Sequence, residues 1–260
     1  MSDFIQNLFG IEGRTAVVTG GSRGIGRMIA EGFVRSGARV YITARKAEAC
    51  EQTARELSEL GECTAIPGDL STEAGCQAFA AAVAEREERV DILVNNAGAT
   101  WGAPLEEYPD AAWDKVLGVN VKGVFHLTRA LLPQLRAAAD PDAPARVINV
   151  GSIDGIHVPM LETYAYSASK AAVHQLTRHL AKRLAAEHIT VNAIAPGPFP
   201  SKMMAATLDA FSDEIIAGCP LGRIGRPDDM AGVALYLASR AAAYVTGAVI
   251  PVDGGIATTK

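Results

Sequence analysis

Cationic residues are outnumbered in this chain: 24 Lys and Arg against 29 Asp and Glu leave a formal net charge of −5, and the cations are scattered rather than run together. That excludes the basic surface through which a protein draws nucleic acid. Cysteine is scarce too. Cys50, Cys63, Cys76 and Cys219 form no CxxC pair, which excludes a disulfide framework and a thiolate metal site and leaves reduced thiols. His126, His174, His179 and His188 fall in helical stretches with no second ligand at metal spacing, so no metal is expected. Around Asp3 and Glu12 there is neither a cationic start nor a long apolar run. A signal peptide and a membrane span are therefore excluded, and a cytoplasmic protein is expected. No Pro/Gly/Ser linker, repeat or low-complexity tract divides the chain.

What is present is enough apolar material for a large core, 49% of 260 residues, and one domain over residues 1–260 accounts for it. Short β-rich runs alternate with Ala- and Leu-rich stretches of helical spacing, the pattern of an α/β fold. This predicts a doubly wound, seven-stranded parallel sheet with helices on both faces. The strands are expected at Thr15–Thr19, Arg39–Thr43, Cys63–Pro67, Asp91–Asn95, Arg146–Gly151, Thr190–Ala195 and Ala248–Val252. Residues 198–226 break the rhythm with Pro198, Pro200 and Pro220. They carry Phe199, Met203, Met204, Leu208, Phe211, Ile215 and Ile216, which either close as a lid over an apolar substrate tail or only pack on the core. Phe4, Ile5, Leu8 and Phe9 suit a short amphipathic helix packed on the domain or on a neighbouring subunit.

Two strings carry the chemistry. The first, Thr19-Gly20-Gly21-Ser22-Arg23-Gly24-Ile25-Gly26, follows an apolar strand and opens a helix. Glycines there allow a tight turn and close approach to a pyrophosphate, and the helix N-terminus offers unpaired N–H groups. Gly20, Gly24 and Gly26 are the candidate contacts. The end of the second strand reads Thr43-Ala44-Arg45-Lys46, without the carboxylate that would bind a ribose 2′-hydroxyl. Arg45, with Arg23 approaching from the Gly-rich turn, matches a 2′-phosphate, so NADP(H) is the expected cofactor.

In the second string, Tyr166-Ser167-Ala168-Ser169-Lys170, a phenol and an ammonium four residues apart share one helix face. A phenol is a poor proton carrier near neutrality unless a cation stabilises its anion, and Lys170 is placed to lower its pKa. Ser152, at the end of the fifth strand, can hold a carbonyl while Tyr166 delivers the proton. Tyr164 competes for the acid's role but has no Lys four residues on. His157 is the one histidine near this chemistry.

These strings, with Asp69, Asn95-Asn96-Ala97-Gly98, Asn120, Pro196-Gly197 and Val252-Asp253-Gly254-Gly255, resemble the short-chain dehydrogenase/reductase family over essentially the whole chain. The resemblance implies a single-domain Rossmann fold and an NADP(H)-dependent oxidoreductase. Tyr166 would be its general acid/base, Lys170 the group that tunes the phenol and holds the nicotinamide ribose, Ser152 the group that positions the reacting oxygen, and Asn120 the support for a water in a proton relay. It implies cofactor contacts from Ser22 and Ile25 in the Gly-rich turn, from Asp69 and Leu70 near the adenine, from Asn96, Ala97 and Gly98 along the channel, and from Pro196, Gly197, Phe199 and Ser201 at the carboxamide end. It also implies a homotetramer.

Within the family the chain is similar to NADPH-dependent β-ketoacyl reductases, including the rhamnolipid-pathway type, through Val147-Ile148-Asn149-Val150-Gly151-Ser152, Tyr164-Ala165-Tyr166 and Ala195-Pro196-Gly197-Pro198-Phe199-Pro200-Ser201. A 3-oxoacyl thioester is the expected substrate, with a sugar, steroid or other ketone as the alternative. Two departures stand out. Ser201 replaces a Thr and keeps the hydroxyl. Asp154 stands where a small or apolar residue is expected, and either retunes the pocket or caps a local turn.

Overall fold

Thr15–Thr19 (β1) is a run of β-propensive residues buried at every position, as a strand covered on both faces requires. The computed structural model describes residues 2–259, without the side chain of Ala206. Six further strands follow: Arg39–Thr43 (β2), Cys63–Ala65 (β3), Ile92–Asn95 (β4), Ala145–Val150 (β5), Ile189–Pro196 (β6) and Val249–Val252 (β7). All pair in parallel in the order β3-β2-β1-β4-β5-β6-β7. The expected boundaries move by two residues at most. β3 stops short of Pro67, which has no N–H to give to a ladder.

The helices are Asp3–Phe9 (α1), Gly24–Arg35 (α2), Ala47–Ser58 (α3), Glu73–Ala84 (α4), Asp110–Leu117 (α5), Val124–Ala130 (α6), Leu132–Ala138 (α7), Tyr164–Leu184 (α8), Ala205–Gly218 (α9) and Pro227–Ala238 (α10). Alternation along the strands divides the core in two. Ala16, Val18, Ile92, Val94, Ile148 and Ile194 pack with α2, α3 and α10. Val17, Leu93, Val147 and Val191 pack with α4, α6, α7 and α8. No helix among the described residues is long and apolar enough to cross a membrane.

Strand order reverses between β1 and β4. In a sheet of this kind the crevice beyond the strands' carboxyl ends at that switch point is where a ligand is held. The Gly-rich turn, Asn96 and Ser152 follow such strand ends, and Pro196 is the last residue of β6. α1 forms as expected but buries no residue, and Phe4 is 70% exposed. α9, within 198–226, likewise has no buried side chain among those described.

Candidate active site

The Gly-rich turn is shaped from below. Asn96 Nδ2 donates to the Thr19 carbonyl at 2.8 Å and to the Gly20 carbonyl at 3.3 Å. Thr19 Oγ1 accepts from the N–H groups of Asn96 and Ala97 at 2.8 and 2.9 Å. A Cβ at Gly26 would lie 2.3 Å from the Gly20 carbonyl oxygen, so only glycine lets the helix start this close to the turn. Gly24, at φ +52°, faces Ser201 across the cleft, 3.1 Å from where its own Cβ would stand. Thr53 donates to the Ser22 carbonyl at 3.0 Å, and Ile25 packs on the core.

Arg23 and Arg45 are exposed and pair with no carboxylate among the described residues, whereas neighbouring Arg27 pairs with Glu56 at 2.8 Å. A cradle closed to any Cβ, with two uncommitted guanidinium groups beside it, fits a dinucleotide that carries a 2′-phosphate.

The remaining expected contacts divide. Asp69 is exposed and accepts from the Ser71 N–H at 3.1 Å, an Asx turn. Leu70 and Phe199, however, are core residues, 5% and 2% exposed. Phe199 fills the space a side chain at Gly225 would need, and the Gly225 N–H donates to the Pro198 carbonyl at 2.9 Å, which anchors the base of 198–226. Pro196 ends β6, and the Gly197 N–H donates to the Val252 carbonyl at 3.0 Å.

Asn120 lies in a π-helical turn, Gly118–Gly123, between α5 and α6, a distortion frequent at functional sites. Its side chain is fully engaged. Oδ1 accepts from the Ala99 N–H at 2.8 Å, while Nδ2 donates to the Ala99 carbonyl at 3.0 Å and to Ser169 Oγ at 2.9 Å. It therefore clamps the loop after Gly98 to α8.

Ser152, Tyr166 and Lys170 converge where β5 ends against the first turns of α8. Ser152 Oγ accepts from the Asp154 N–H at 3.1 Å, which leaves its O–H to donate, and it is near enough to the Tyr166 phenol to favour its anion. Lys170 is buried, its Nζ donating to the Val150 carbonyl at 2.8 Å and lying 5.4 Å from the Tyr166 ring centre. The expected depression of the phenol's pKa is not what the structure shows. Burial, and then the Asp154 charge, push Tyr166 up to about 12 against the opposing effect of Ser152. Burial pushes Lys170 down to about 8. Tyr164, the rival acid, donates to Glu162 at 2.7 Å instead.

The turn after Ser152 is capped by Ser152 itself, not by Asp154. The Asp154 carboxylate accepts no hydrogen bond among the described residues; His157 Nε2 lies 3.9 Å from it. Two features escaped the sequence reading. His174, one turn beyond Lys170, is buried in the space left by Gly151, where a Cβ would lie 2.2 Å from its Nε2. Burial pushes its pKa down to about 4, so the ring is neutral. Beneath the site, Asn95 donates to Asn149 at 2.9 Å and Thr128 at 3.0 Å, and Asn149 donates to Thr177 at 2.9 Å. The signal for this ladder in the sequence is an Asn in each of two largely apolar strands, Asn95 at the end of β4 and Asn149 in β5.

A family model described as enoyl-(acyl carrier protein) reductase matches residues 20–257. The chain is 55% identical over 253 residues to a rhamnolipids biosynthesis 3-oxoacyl-(acyl-carrier-protein) reductase of Pseudomonas aeruginosa, covering 95% of this chain and 97% of that one. It is 40% identical to a galactitol 2-dehydrogenase (L-tagatose-forming) of Cereibacter sphaeroides, covering 96% of this chain and 97% of the relative. Among solved structures, a Pseudomonas aeruginosa RhlG/NADP active-site complex superposes with a TM-score of 0.93 at 54% identity, over 96% of this chain and 98% of that one.

Proposed function

The chain belongs to the short-chain dehydrogenase/reductase family, and from that membership we propose that it is an NADPH-dependent reductase that turns the ketone of a 3-oxoacyl thioester into a secondary alcohol. The observation that carries this reading is the meeting of Ser152, Tyr166 and Lys170 at one strand end, in a chain 55% identical to a 3-oxoacyl-(acyl-carrier-protein) reductase. Arg23 and Arg45 would hold the 2′-phosphate, and Gly20, Gly24 and Gly26 the pyrophosphate. When bound, NADPH supplies the hydride for the carbonyl carbon.

The chain's own residues supply the rest. The Ser152 O–H donates to the substrate's carbonyl oxygen and sets it beside the phenol. Tyr166, which at a pKa of about 12 keeps its proton at neutral pH, gives it up as charge develops on that oxygen. Lys170 holds the nicotinamide ribose and offsets the phenolate once the proton has left. Asn120 fixes the channel wall against α8. The uncovered apolar residues of α9, with Phe211 40% and Ile216 36% exposed, support residues 198–226 as a lid over the acyl tail.

Assembly as a cytoplasmic homotetramer belongs to the same reading. Ala171, Ala172, Leu176 and Leu180 on α8 are none of them fully buried and offer a face for a second copy. Light scattering at micromolar concentration is expected to give a tetramer, and a monomer would contradict it. Initial rates with NADPH and NADH against acetoacetyl and longer 3-oxoacyl thioesters test the chemistry. Preferred use of NADPH with turnover of the thioesters is expected; no oxidation of NADPH by any of them would overturn the reading.

A further inference from the structure

Asp154 stands two residues after Ser152, and its main chain, but not its side chain, is held by hydrogen bonds. Its backbone is pinned on both sides, the N–H donating to Ser152 Oγ at 3.1 Å and the carbonyl accepting from Ser167 Oγ at 2.6 Å. This holds the residue next to Ser152, close enough for the charge of its carboxylate to act on both Tyr166 and Lys170. It remains 27% exposed and accepts no hydrogen bond among the described residues. Facing it is His157. Its Nδ1 lies 2.9 Å from the Val158 carbonyl and must carry a proton to donate there, while its Nε2 is buried without a partner. The 3.9 Å between Nε2 and the Asp154 carboxylate oxygen is too long for a hydrogen bond. Leaving a carboxylate unpaired beside an apolar substrate is costly, and a substrate hydroxyl that donates to it removes that cost.

We propose that Asp154 is a specificity-determining hydroxyl site, so that the enzyme also reduces α-hydroxy ketones, the substrate's hydroxyl donating to the Asp154 carboxylate. This rests on the reductase reading above. The redox balance is the same: the carbonyl carbon gains a hydride from NADPH, leaving NADP+, the carbonyl oxygen gains the Tyr166 proton, solvent reprotonates Tyr166, and the product is a vicinal diol.

The test compares 3-hydroxy-2-butanone with 2-butanone, which differ by that hydroxyl, in the parent, Asp154→Asn and Asp154→Ala, with acetoacetyl thioester alongside. NADPH binding, followed by cofactor fluorescence, shows that each variant is folded. The parent is expected to favour the hydroxy ketone in kcat/KM by about tenfold to a hundredfold, the range of a hydrogen bond to a charged acceptor. Asp154→Ala should bring the ratio near one, and Asp154→Asn, which keeps a neutral acceptor, should fall between. Should Asp154→Ala not bind NADPH, Asp154→Asn decides, and an unchanged ratio there overturns the proposal. A parent that reduces the thioester without preferring the hydroxy ketone overturns the hydroxyl site and spares the thioester reading. A parent that prefers the hydroxy ketone and ignores the thioester does the reverse.

Discussion

Lys170 donates to the main-chain carbonyl of Val150 at 2.8 Å, tying the second turn of α8 to the last residue of β5 from inside the protein. One ammonium thus serves the fold and the chemistry, and the two respond to pH in opposite directions. Burial lowers its pKa from 10.5 to about 8. Between those values the unfolded chain holds the proton more often than the folded one, so this group's contribution to stability rises with pH across the window. Activity that needs the charged form falls across it. Comparing the parent with Lys170→Met by urea unfolding at pH 7.5 and 9.5 should show the parent gaining relative stability at the higher pH, while its cofactor affinity declines. A relative loss of stability would contradict the buried, depressed ammonium.

Replacing both Arg23 and Arg45 with Ala should raise the NADPH dissociation constant about tenfold to a thousandfold, since each charge-assisted pair contributes about 1.5–3 kcal/mol. NADH binding should change little. Fluorescence titration of both cofactors checks this, and equal losses for the two would point to damage to the fold rather than to a 2′-phosphate clamp.

Gly151 and His174 should be coupled. A methyl at residue 151 would meet the imidazole at 2.2 Å, so Gly151→Ala should cost about 1–3 kcal/mol by overpacking. Adding His174→Ala makes room and should recover part of that loss, giving a non-additive cycle. Additive melting shifts would mean the two do not touch.

The lid reading predicts a length dependence. Each methylene buried under α9 contributes up to about 0.8 kcal/mol, so kcat/KM should climb several-fold per carbon along a 3-oxoacyl series until the pocket fills. A flat series would leave 198–226 without a role in reading the tail.

Much of this was legible in the sequence because alternation and turn chemistry are local. Thr15–Thr19 and Arg39–Thr43 read as strands and are strands to the residue, and the Gly-rich turn falls between a strand and a helix as its spacing demands. What the sequence hid depends on contacts between distant segments. Leu70 and Phe199 lie within motif stretches, yet their side chains fill the core, because neighbouring residues on a strand end or loop face opposite ways. His174 reads as an ordinary helical histidine until Gly151, from another element, is seen to leave room for it. The π-turn at Asn120 has no local signature. Helix spacing puts Lys170 on the face of the phenol, but it carries no information about the Val150 carbonyl that accepts from its ammonium or the burial that lifts Tyr166.

The central claim is that Tyr166 is the proton donor in a ketone reduction by NADPH. Single-turnover mixing of acetoacetyl thioester with enzyme preloaded with NADPH, followed by the loss of nicotinamide absorbance, tests it in the parent and in Tyr166→Phe. NADPH should bind both proteins alike, and the substitution should slow the decay by at least about a hundredfold, the usual contribution of a general acid. Decay in Tyr166→Phe at close to the parent's rate would mean that Tyr164 or a water supplies the proton, and the assignment of the site would fall.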